Sequence, residues 1–157
     1  MTYTKDTGEV SALVRPYAAA ETVRTAKVFG RFVATGEHTN NQFGLFEWNM
    51  QPRAGGPDPH FHRTYSESFH VLSGSVTIYD GREWVKTVPG DFVHVPEGGL
   101  HGFRNDTDEP ASMLILFSPG EARENYFREL TEIRNTGRKL TDEEWTEFFV
   151  RHDNHFS

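Results

Sequence analysis

Cysteine is absent from the 157 residues, which excludes disulfides and thiolate chemistry and leaves only nitrogen and oxygen donors for any metal. No apolar run approaches the length of a membrane span. The opening MTYTKDTGEVSALVRPYAAAETVRTAKVFG also lacks the continuous apolar core of a secretory leader. A cytoplasmic protein with no membrane partner is therefore the expectation. Basic residues are in the minority: 16 Lys and Arg stand against 23 Asp and Glu, a net charge of -7, and they form no dense run. That balance argues against nucleic acid as a partner. Internal repeats and low-complexity tracts are missing as well, and the length suits one buried core.

Between Val23 and Phe117 the chain alternates short runs rich in Val, Ile, Phe and Thr with clusters of Gly, Pro, Asn and Asp, the pattern of an all-β protein. VTIYDGREWVKTV places Asp80-Gly81 between two β-prone runs and predicts a hairpin. FGLFEWNM, Phe43 to Met50, has apolar residues on both parities and reads as a strand buried on both sides. The character then changes. Ser118-Pro119-Gly120-Glu121 combines a Ser cap, Pro at the first helical position and Glu three after the cap, so a helix is expected to begin there. Tyr126, Phe127, Leu130 and Ile133 form its apolar stripe, and Asn135-Thr136-Gly137 ends it. Thr141 with Glu144 caps a second amphipathic helix bearing Trp145, Phe148, Phe149 and His152.

The chemistry concentrates in HFHRTYSESFHVLSG. His60 and His62 sit one residue apart, so in a strand both side chains project to one face. Glu67 follows a short turn and opens the next strand, with Phe69 and Val71 beside it. Two imidazoles and a carboxylate suit a divalent first-row metal with open positions. In GDFVHVPEGGLHGFRN, His101 shares a strand face with Phe103 and Asn105 and offers a fourth donor. His70 has the opposite parity from Glu67, and neither His38 nor His94 merits a site. RHDNHF clusters His152, Asp153 and His155, but a solvated tail is the preferred reading.

These two segments resemble the motifs of the cupin superfamily. The first is G, five residues, HxH, three or four residues, E, six residues, G, matched by His60, His62, Glu67 and Gly74. The second is G, five residues, PxG, two residues, H, three residues, N, matched by Gly90, Pro96, Gly98, His101 and Asn105. Nine specified positions agree, which chance would produce on the order of once in a trillion alignments. The leading glycine departs from the pattern, since position 54 is Ala and Gly55 and Gly56 follow it. A slightly shorter loop absorbs that difference.

The resemblance is to short cupins of the quercetin-dioxygenase-like group. It implies a small antiparallel jelly-roll barrel of two sheets: residues 1–117 form the N-terminal segment and barrel, with motifs at 55–74 and 90–105, and 118–157 are a helical extension of the same domain. It implies His60, His62, Glu67 and His101 as metal ligands, holding iron, manganese, nickel or cobalt, with zinc as a further option. Glu67 would double as the catalytic base of a dioxygenase acting on an aromatic, polyphenolic or polyketide-like small molecule. Non-redox isomerisation, epimerisation or cyclisation, and simple ligand binding, are the alternatives. Phe46, Trp48, Phe69 and Phe103 could wall the substrate pocket or simply fill the core. Arg63, Tyr65 and Arg104 are candidates for its rim, and Asn105 for a structural role. The two helices are expected to pack on the outside of the barrel or complete a homodimer, in preference to capping its mouth.

Overall fold

The computed structural model describes residues 2–156. The strands are β1 (Thr22–Arg24), β2 (Val28–Ala34), β3 (Gly44–Met50), β4 (His60–Phe61), β5 (Ser66–Ser73), β6 (Thr77–Tyr79), β7 (Trp84–Lys86), β8 (Phe92–Val95), β9 (Gly102–Arg104) and β10 (Ala111–Ser118). Then follow the helices α1 (Arg123–Thr136) and α2 (Asp142–Arg151) and a last strand, β11 (His155–Phe156). Six strands form one antiparallel sheet in the order β1-β2-β3-β10-β5-β8. A second sheet runs β7-β6-β9, and β11 pairs with β4. The result is an antiparallel jelly roll, all-β apart from its C-terminal helices, as the motif resemblance implies.

Register decides what faces inward. Phe32, Phe46, Ile115, Phe69 and Val93 pair successively across five strands and make one apolar row. Gly44, Phe117, Glu67 and Val95 make the next row on the same face, so the two-residue period that buries Phe69 also turns the Glu67 carboxylate inward. β3 alternates strictly: Phe46, Trp48 and Met50 are buried, whereas Leu45 and Glu47 are half-buried. The expectation that β3 is enclosed on both sides thus holds for one side only. The 77–86 hairpin forms as expected, through a four-residue loop in which the Asp80 carboxylate accepts from the amides of Arg82 (2.8 Å) and Glu83 (2.9 Å).

Two helical expectations need correction. Ser118 is the last residue of β10, paired with Ser66, and its hydroxyl donates to the carbonyl of Gln42. It is therefore not a helix cap, and α1 begins only at Arg123 without a side-chain cap. Nor do the helices pack on the outside. Phe127 of α1 lies 4.9 Å from Trp48, 5.2 Å from Phe46 and 6.2 Å from Phe117, ring centre to ring centre, so α1 covers the inner face of β3 and β10. The small second sheet leaves that apolar face uncovered, and burying it drives the docking. α2 starts at the expected capping box, where Thr141 Oγ1 accepts from the Glu144 amide and Glu144 Oε2 accepts from the Thr141 amide. No helix among the described residues is long and apolar enough to cross a membrane.

Candidate metal centre

A single antiparallel bridge sets up the site. His60 and His101 exchange both backbone hydrogen bonds, each 2.9 Å, which sends their side chains to the same side. His62 follows two residues after His60, and Glu67 arrives from β5. One donor atom from each of the four lies within 4.8 Å of the other three, and the residues are 1% to 4% exposed. Among the described residues this is the one cluster of its kind.

The outward nitrogen of every imidazole is anchored. His60 Nδ1 donates to the carbonyl of Asp58 (2.8 Å), His62 Nδ1 to that of Asp153 (2.7 Å) and His101 Nδ1 to that of Gly99 (2.9 Å). A proton fixed on each Nδ1 leaves Nε2 to face the centre as a donor, the arrangement that backbone carbonyls impose on metal-ligating histidines. Glu67 Oε2 lies 3.0 Å from His62 Nε2 and 2.7 Å from His101 Nε2. Burial raises the Glu67 carboxyl, but the two imidazoles outweigh it and hold the group well below the usual carboxylate range. Burial lowers His101, yet its partner Glu67 leaves it raised on balance. His60, pressed by burial and by neighbouring His101, falls to about 3. A carboxylate and three convergent imidazoles drawn out of water call for a cation between them, and this nitrogen and oxygen set suits a divalent transition ion.

Sequence reasoning missed the supports of the site. Tyr65, expected at the rim, is buried, stacks on His62 at 4.5 Å and brings its hydroxyl 2.9 Å from His62 Nδ1; burial keeps its phenol protonated. The expectation of a solvated tail is overturned. Asp153 Oδ2 accepts from the amides of Arg63 and Thr64 (both 2.9 Å) and from the Thr64 hydroxyl (2.8 Å). Its carbonyl is the one that anchors His62. Buried Arg123 holds the same turn by donating to the carbonyl of His152 (2.8 Å), and Phe156 of β11 pairs with His60. A local signal did exist: Asp-Asn after a helix tolerates the left-handed conformation that Asp153 adopts (φ 56°). Its partner ninety residues upstream left no trace in sequence spacing.

The remaining histidines match expectation. His70 and His94 are exposed and His38 closes a local turn onto Thr35. Asn105 is structural, its amide donating to the carbonyls of Gln51 and Glu109. Arg63 is exposed, and Arg104 lies over the Trp84 ring. A cavity of about 680 Å³ opens between the barrel and the two helices. Trp48 and Phe103 line it; Phe46 and Phe69 are fully buried among other rings and do not. None of the four donors reaches this cavity. Phe156 stands between, in its wall and 5.9 Å from the His60 ring.

Comparison with known proteins agrees with this geometry. The family model of the cupin domain matches residues 46–117, which include all four donors. Quercetin 2,3-dioxygenase of Bacillus subtilis (strain 168) is 31% identical over 100 residues, 64% of this chain and 29% of that protein. Among solved structures, a sugar phosphate isomerase of the cupin superfamily from Silicibacter pomeroyi is 27% identical, with a TM-score of 0.53 over 59% of each chain. The polyketide cyclase RemF of Streptomyces resistomycificus is 21% identical, with a TM-score of 0.57 over 69% of this chain and 80% of its own. The chain spans less than a third of the length of the B. subtilis enzyme.

Proposed function

We propose that the chain, whose residues 46–117 match the cupin domain, is a metal-dependent cupin enzyme, a dioxygenase acting on a small aromatic, polyphenolic or polyketide-like molecule. One observation carries the reading: three imidazoles with Nδ1 tied to backbone carbonyls aim Nε2 at the same point as the Glu67 carboxylate. His60, His62, Glu67 and His101 would hold the ion. A six-coordinate ion there would have two positions free, supplying Lewis acidity and, for iron, manganese, nickel or cobalt, redox exchange with dioxygen.

The residues of the chain do the rest. Glu67 is the acceptor for a proton from a substrate hydroxyl, because it is the one carboxylate at the centre. Tyr65 and the Asp153 carbonyl fix the His62 ring. Phe103, with Phe69 behind it at 5.7 Å, and Trp48, with Phe46 on the same inner face, give the substrate an apolar wall. A second reading, non-redox isomerisation or cyclisation, draws on the likeness to the sugar phosphate isomerase. Simple ligand binding is the remaining alternative. A cytoplasmic homodimer is the assembly we propose; Phe92 on edge strand β8 is 65% exposed and Val88 nearby 56%, and sedimentation equilibrium tests it.

Elemental analysis and dioxygen uptake test the reaction. A redox-capable ion at one per chain, with uptake on a flavonol or a related enediol, is the expected result. Zinc alone at full occupancy with no uptake on any such substrate refutes the dioxygenase and favours the isomerase. Stoichiometric metal persisting in both His60→Ala and His101→Ala refutes the ligand assignment.

A further inference from the structure

Among the described residues, three rings other than the imidazoles themselves pack on the centre, one on each histidine. Tyr65 lies on His62 at 4.5 Å, Phe69 on His101 at 6.1 Å and Phe156 on His60 at 5.9 Å. Their settings differ. Phe69 lies inside β5, an eight-residue strand paired on both sides, and Tyr65 directly precedes that strand; both are buried. Phe156 belongs to β11, two residues long, and is 44% exposed although it closes the His60 side of the centre.

β11 is also held lightly. His60 spends its N–H and C=O on His101, so the backbone bonds between β4 and β11 fall to Phe61 and His155, and Phe156 faces His60 as a non-hydrogen-bonded pair. Opposed residues in such a pair send their side chains to one face, which sets the Phe156 ring beside His60. The other contacts of β11 are few. His155 Nε2 donates to the Asp153 carboxylate (2.9 Å), its ring lies 5.3 Å from Phe61, and Phe156 leans on Phe149 of α2 at 4.8 Å. Asn154, by contrast, is buried, and its amide donates to the Phe149 carbonyl (2.8 Å). On the far side of Phe156 lies the 680 Å³ cavity, whose wall it shares with Trp48, Phe103 and Phe149. The donors are shut off from that space while Phe156 is in place.

We propose that Phe156 is a gate and β11 its strap: release of the two-residue strand, hinged after Asn154, swings the ring away from His60 and joins the cavity to the four-donor centre. Opening breaks the Phe61–His155 backbone pair and the Phe149 contact. It leaves the Asp153 turn, and with it the His62 anchor, in place. A substrate seated in the cavity reaches the centre through this opening, and the closed strap keeps water out between turnovers. The proposal rests on the metal-centred reading for what passes the gate; the gate itself is made of residues that hold no metal.

The test uses the full chain, depleted of metal by dialysis against a chelator and treated with diethyl pyrocarbonate, which carbethoxylates accessible neutral imidazoles. Mass spectrometry reads each histidine separately, with exposed His70 and His94 as internal standards. The chain has no cysteine, so a Phe61→Cys/His155→Cys variant can be locked by oxidation and released by reductant. A hydrogen-bonded antiparallel pair holds its Cα atoms about 5.5 Å apart, within disulfide range. Oxidation slows modification of His60 about tenfold and reduction restores it, while His70 and His94 do not change. Phe156→Ala speeds modification of His60 about tenfold. Sub-denaturing urea leaves these rates flat, because a two-residue opening exposes little surface. Equal His60 rates in the oxidised and reduced variant, an unaltered rate in Phe156→Ala, or rates that climb with urea as steeply as global unfolding overturn the gate. Metal analysis of the reloaded wild type separates the two readings. Stoichiometric ion with equal locked and released rates refutes the gate and leaves the metal reading standing, whereas gating as described in a chain that retains no ion refutes the metal reading alone.

Discussion

Replacing Asp153 by Gly isolates the support that the C-terminal turn gives the metal centre. Asp153 has φ 56°, so Ala there would add a left-handed backbone penalty of about 1 kcal/mol, whereas Gly removes the carboxylate without it. Three hydrogen bonds to Oδ2 disappear, from the Arg63 amide, the Thr64 amide and the Thr64 hydroxyl. At about 1 kcal/mol net each, the loss is about 3 kcal/mol, and for a chain of this size Tm falls by roughly 6–12 °C. The carboxylate pins the loop whose first residue is His62, and the Asp153 carbonyl is the acceptor that orients His62. Metal affinity, measured by competition with a chromophoric chelator, therefore falls about 10- to 100-fold. Asp153→Asn keeps the shape and one acceptor and loses about 1 kcal/mol. The hydrogen bonds lower the Asp153 pKa against the raising effect of its burial. Its contribution is thus present above pH 4 and lost as pH falls through the folded value, so Asp153→Gly has a shallower acid limb than the wild type. A variant within 0.5 kcal/mol of wild type by urea denaturation, with unchanged metal affinity, refutes the reasoning, where about 0.5 kcal/mol is the ordinary scatter of neutral surface changes.

Three further outcomes follow from the same geometry. Gly56→Ala puts a Cβ 1.8 Å from the Phe103 carbonyl oxygen, whereas Gly55→Ala meets nothing within 4 Å; unfolding free energies from urea denaturation separate them by about 3 kcal/mol or more, and similar values would show that the 55–57 loop yields freely. Thr141→Ala removes the α2 cap and costs about 1 kcal/mol by thermal denaturation. In the metal-free protein, neutral His60 is favoured by the fold, with its pKa lowered from 6.5 to about 3. That stabilisation is full above pH 6.5 and declines as pH falls toward 3, so the stability gap between wild type and His60→Gln narrows on acidification; a gap constant from pH 7 to pH 4 would contradict it.

How much of this was legible in the sequence depended on the range of the interaction. The four donors were visible because strand parity and a bridging pair of motifs are local features, and Glu67 faces inward for the same two-residue reason as Phe69. The hairpin at Asp80-Gly81 and the cap at Thr141 were legible on the same grounds. Ser118 deceived because a capping pattern and a strand end share the same residues, and pairing with Ser66 decided between them. Arg123 and Asp153 were unreadable since their partners lie far off in the chain, whereas Tyr65 is only three residues from His62 and owes its place to the turn between them. The docking of Phe127 on Trp48 likewise depended on how little of the barrel the second sheet covers.

The pairing of β11 with β4 bears on the order of events during synthesis. A ribosome delivers His101 about fifty residues before Asp153, so a nascent barrel can gather its imidazoles while the turn that orients one of them has yet to be made. An ion captured in that interval would meet an open nest, and arrival of that turn would then shut the door behind it.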